Sequence, residues 1–273
     1  MSPATSIQVT EVKRESASIS ALGRVIFALA IIAIGIETFV CARVVDHSLG
    51  PEHGIIPVIP WVPAIPWLAY LFGAIWVACG IGLLTNRTVR PAALALGSLM
   101  ILCALVLEGP KAAVNFSSGN LRTVLFEPLA IGSLAWLLPG EDVIPKLLVH
   151  VGRWLLAISL IVFGVDHFMA LVFVGTLIPD WVPWHVFWSG FFGVAFIAAG
   201  LGIGLNLLQR WTATGLGLMF GIWVITLHLP RVLGLYHIPN ASSPNGWSSL
   251  FIATAMWGGL WAMPRSRSPR QNT

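Results

Sequence analysis

Repeated motifs constrain this chain more than any other feature. Gly35-Ile36-Glu37-Thr38-Phe39 returns as Gly164-Val165-Asp166-His167-Phe168, and Leu107-Glu108-Gly109-Pro110-Lys111 returns as Leu227-His228-Leu229-Pro230-Arg231. Gly23-Arg24 answers Gly152-Arg153, and Trp61-Val62-Pro63 answers Trp181-Val182-Pro183. Gly73, Gly80, Gly82, Asn86, Arg90, Gly97, Leu107 and Pro110 all recur 120 residues later, from Gly193 to Pro230. After a shift of five residues, the segment from Asn115 to Asn120 meets the one from Asn240 to Asn245, and Trp136 meets Trp261. Correspondence held at fixed spacing over most of a chain marks a duplicated structural unit. The fold is therefore one that the chain builds twice.

Composition places that unit in a membrane. Apolar residues make up 57% of the chain and charged ones 10%, against roughly 45–50% and about 25% in soluble domains. A hydrocarbon core of about 30 Å takes roughly 20 helical residues to cross. Apolar runs of about that length fall near 21–42, 66–84, 91–108, 123–139, 147–173, 185–205, 211–228 and 246–263. They lack the apolar/polar alternation of a barrel wall, so they read as helices. The expected fold is all-α, with eight transmembrane helices as two parallel four-helix repeats at 21–140 and 147–263. A polar, Ser-rich tail at 1–20 is expected to be disordered, and a second tail covers 264–273.

Lysine and arginine set the orientation, because positive loops stay on the cytoplasmic side. One side would carry Lys13, Arg14, Arg24, Arg87, Arg90, Lys146, Arg153, Arg210, Arg265, Arg267 and Arg270, and the other only Arg43, Lys111, Arg122 and Arg231. Both termini are then cytoplasmic. An even number of spans per unit relates the repeats by a pseudo-two-fold along the membrane normal. The first apolar run has no small-residue cleavage site after it and reads as an uncleaved helix. Tryptophans near helix ends fit an interfacial belt. The expected location is a bacterial inner membrane, with the lipid bilayer as the main partner. Topology and anionic lipid account for the basic charge, and nothing points to nucleic acid.

An ionisable side chain inside a bilayer costs about 2.5–3.5 kcal/mol on insertion scales, so each needs a partner or a purpose. Glu37 and Asp166 lie toward the outer ends of the first helices, and Glu108 and His228 close the third helices. His167 stands where the first repeat has Thr38. Lys111 and Arg231 follow three residues after Glu108 and His228, a spacing that shares a helix face, although Pro110 and Pro230 favour a helix end there. The plainer reading is a set of charge-neutralising pairs, Glu37 with Lys111 and Asp166 with Arg231 or His228. The functional reading is an outer-leaflet polar pocket within each four-helix unit, where Glu37, Glu108, Lys111, Asp166, His167, His228 and Arg231 bind a polar head group or exchange protons with it. Metal-ligand spacing is absent, and no metal is assigned.

Cys41, Cys79 and Cys103 all fall in the first repeat with no Cys-x-x-Cys, which argues against a thiol–disulfide relay. Gly80-Ile81-Gly82, the glycines at 200, 202 and 204, and Gly215-Leu216-Gly217 read as close helix contacts. No strand precedes them, so they are no nucleotide fingerprint.

The repeat unit resembles the DoxX/DoxD-like four-helix membrane family. The likeness rests on Gly-Arg near the start, Gly164-Val165-Asp166-His167-Phe168, Ile178-Pro179-Asp180-Trp181-Val182-Pro183, Gly200-Leu201-Gly202 and Arg210. It covers nearly the whole chain after the tail, and this chain differs in being a fused tandem. It implies a redox-linked role in which quinone is the possible cofactor and a membrane oxidoreductase the possible partner, with the chain as one of its subunits. A small-molecule or lipid carrier is the alternative, as is a structural partner with no site of its own.

Overall fold

The computed structural model describes residues 3–44, 66–207, 209–235 and 246–263, with side chains at 17–40, 67–207, 209–235 and 246–263. Trp61, His47, His53, His237, the segment 240–245, the Cys41 side chain and the tail at 264–273 lie outside the described residues.

Helices cover the greater part of all eight apolar runs. They are α1 (Pro3–Val44), α2 (Pro66–Leu83), α3 (Val89–Cys103), α4 (Gly109–Val114), α5 (Gly119–Leu137), α6 (Lys146–Met169), α7 (Leu171–Gly175), α8 (His185–Gly204), α9 (Gln209–Trp223), α10 (Leu229–Val232) and α11 (Gly246–Ala262). No strand occurs among the described residues. The segment expected as a disordered tail is helical from Pro3 onward. It holds no glycine or proline between Ala4 and Leu22, and propagating a helix outward from the apolar segment costs far less than nucleating one.

Five helical segments are long and apolar enough to cross a membrane: Ala17–Val40, Val89–Val114, Lys146–Met169, His185–Gly204 and Gln209–Val232. Only 33–44% of the apolar window of each is buried inside the protein. The remainder, including Leu29, Leu102, Ile158, Val194 and Ile225, faces outward. An apolar exterior on this scale suits hydrocarbon and not water, so the chain is a multi-pass, membrane-type helical protein. α2 is apolar but shorter.

Consecutive long helices pack on one another, and the first helix of each half also packs on the fourth helix of the other half. α1 lies against α2 and α11, α6 lies against α8 and α5, and α5 touches α11. Matched glycines make these approaches possible. A Cβ on Gly35 would stand 2.8 Å from the Gly73 carbonyl oxygen, and one on Gly164 would stand 2.6 Å from that of Gly193. Gly97 lies under the Trp136 ring as Gly217 lies under that of Trp261. Gly215, read from the sequence as a contact glycine, has nothing within 4 Å.

Pro110 and Pro230 do not end their helices, contrary to the sequence expectation. Proline has no N–H and its ring displaces the carbonyl four residues back. The chain absorbs this by widening into π-helical stretches, Ala104–Glu108 and Val224–His228. There Gly109 N–H reaches Ala104 O, and Leu229 N–H reaches Val224 O, each a five-residue step. The helix then continues as α4 and α10. Elsewhere Ser118 caps α5 by accepting from Leu121 N at 3.4 Å. α8 closes with Asn206 at φ 56° and Leu207 N donating to Gly202 O at 2.8 Å, the left-handed stop that asparagine tolerates.

Candidate functional site

The carboxylates of the first helices are held across the halves. Asp166 on α6 accepts from Arg122 Nε on α5, Oδ1 to Nε 2.7 Å. Arg122 is 5% exposed and also donates to Phe116 O and, at 3.2 Å, to Met169 Sδ. Glu37 on α1 accepts from Ser248 Oγ on α11 at 2.8 Å. Lys111 Nζ donates to Glu108 Oε1 at 2.8 Å. The expected pairs of Glu37 with Lys111 and of Asp166 with Arg231 or His228 are thus replaced. The continued helix puts Lys111 on the same face as Glu108, and helix exchange brings α5 and α11 to the acids. The described bonds of these acids therefore run along one helix or between the halves, where the sequence reading placed a pocket inside each four-helix unit. Buried charges in low dielectric demand such partners.

His167 has a different environment. Its Nδ1 lies 2.8 Å from the Phe163 carbonyl oxygen one turn back. Thr38, at the matching position, makes the same backbone bond, Oγ1 to Ile34 O at 2.8 Å. The His167 ring sits 5.1 Å from Phe196 and 6.3 Å from Trp223, nearly parallel to the latter at 14°. Phe192, Phe220 and Trp188 extend this group, with Phe192 edge-on to Trp223 at 4.8 Å. Such tilted and edge-on arrangements are those the aromatic quadrupole favours.

Buried polar atoms without hydrogen-bond partners occur in both halves, Trp136 Nε1 in the first among them. Among the described residues, the buried Asp166 Oδ2, Trp188 Nε1, Ser189 Oγ, His228 Nδ1 and Trp257 Nε1 have no hydrogen-bond partner. His228 lies one wide turn beyond Trp223, in the π-helical stretch, and π-helical bulges recur at functional sites. Arg231 follows His228 on α10.

Sequence reasoning missed three components. Arg122 was placed only as a loop cation, and its capped position on the first turn of α5 gave no hint of which helix lay opposite. Glu127, part-buried in α5, escaped attention although it is the lone acid in the 123–139 run. The aromatic group could have been found only by aligning the halves, where Phe220 and Trp223 stand opposite Met100 and Cys103. Cys79 and Cys103 are free and buried.

No family model, no curated protein and no solved structure matches this chain.

Proposed function

We propose that this chain is an eight-span protein of the bacterial inner membrane, of DoxX-like type, with both termini cytoplasmic. In this proposal it acts as a redox-linked subunit whose second half holds a quinone-like or other amphipathic molecule beside His167. The observation that carries the reading is a histidine bordered by Trp223 and Phe196 in a helix bundle that also leaves buried donors and acceptors unmatched. A flat head group with polar oxygens suits such surroundings, and an isoprenoid tail suits the apolar exterior. A quinone, when bound, would supply two-electron, two-proton redox chemistry. His167 and Trp223 would orient its ring, while Asp166, already tied to Arg122, serves the framework. An oxidoreductase subunit would be the partner that delivers or removes electrons.

Purified protein titrated with ubiquinone and menaquinone tests this. A rise in melting temperature and quinone retained through purification are expected, and a protein that shows neither is not a quinone-binding subunit.

A further inference from the structure

We propose that His167 Nε2 is the acceptor for a hydroxyl group on a reduced, phenol-type ring, so that the site prefers a quinol to the matching quinone. This rests on the quinone-type reading of the second half. The Phe163 carbonyl oxygen can only accept, so Nδ1, 2.8 Å away, carries the proton and donates. A neutral imidazole has a single N–H, which leaves Nε2 with a bare lone pair. No described residue donates to Nε2. A quinone would present a carbonyl oxygen to that lone pair, with no proton between them. A quinol brings its own O–H. The ring bearing that hydroxyl would also lie near Trp223 and Phe196, which border the imidazole.

The first half of the chain is an internal control. Thr38 satisfies the same carbonyl position from the same place on the helix, and Met100 and Cys103 stand where the second half has Phe220 and Trp223, while Trp76 keeps an aromatic ring at the place of Phe196. His167→Thr therefore keeps the backbone bond that the fold already uses at the matched residue, and it removes only the imidazole.

The test titrates decylubiquinol and decylubiquinone, anaerobically, into detergent-solubilised full-length protein, reading tryptophan fluorescence and melting temperature. Loss of one neutral hydrogen bond corresponds to roughly tenfold in affinity. The quinol should bind about tenfold more tightly than the quinone, and His167→Thr should abolish that preference. Equal binding of the two forms by the unaltered protein overturns the inference and leaves the quinone reading standing. Binding of neither overturns the quinone reading itself. A preference that survives in His167→Thr places the acceptor elsewhere.

Discussion

Arg122 and Asp166 are joined over 2.7 Å from the first turn of α5 to the last turn of α6, so one ion pair ties the end of the first half to the start of the second. Both side chains are largely buried, at 6% and 13% exposed. Removing one partner strands the other charge, a loss of about 3–5 kcal/mol. Asp166→Ala and Arg122→Ala should each lower stability by that order in a denaturant titration in detergent. The joint change Asp166→Leu with Arg122→Met should recover most of the loss. Singles and double that melt alike would show the pair to be unimportant.

The glycine contacts make a graded prediction. Gly35→Ala and Gly164→Ala place a methyl group under 3 Å from a backbone oxygen, and overpacking of that kind costs about 1–3 kcal/mol. Gly215→Ala meets nothing within 4 Å and should gain up to about 1 kcal/mol from helix propensity. Thermal melts of the three proteins give the order directly.

Glu127 has no hydrogen-bond or ion-pair partner among the described residues, and Ile252 occupies the matched place in α11. Replacing an uncompensated acid by an apolar side chain of similar size stabilises. Glu127→Ile should raise the melting temperature, by about 1 kcal/mol in stability. A fall in stability would mean that the carboxylate is held by an interaction other than a hydrogen bond or ion pair.

Orientation is testable with reporter fusions. Green fluorescent protein at residue 273 and in the 139–145 turn should fluoresce, because the proposed topology puts both on the side with most lysine and arginine. Alkaline phosphatase fused after Val114 should be active, since that loop is expected outside. The reverse pattern would invert the topology.

Much of the fold was legible because apolar run length and motif recurrence are local properties. Helices were found at all the expected runs, and the repeated motifs reappeared as the paired contacts Gly97–Trp136 and Gly217–Trp261. What the sequence hid was lateral. Neither Glu37 nor Asp166 carries a signal of which helix lies beside it, so Ser248 and Arg122 were not foreseen as partners. The prolines misled because the rule for a soluble helix end overlooks the π-helical alternative, in which Gly109 and Leu229 bond one residue further back. His167 was singled out because its counterpart is Thr38. Its neighbours Phe196 and Trp223 stayed hidden, since aromatic residues are ordinary in a membrane helix.

The packing of α1 on α11 and of α6 on α5 clasps the two halves of this polypeptide together. Each half lends its last helix to the other, so the connecting turn between Leu138 and Lys146 is a leash and the helical interfaces are the glue. Severed in that turn, the two fragments would each carry an unclad flank shaped for the other. Co-expression of the pieces should restore one complex, and neither piece should accumulate alone.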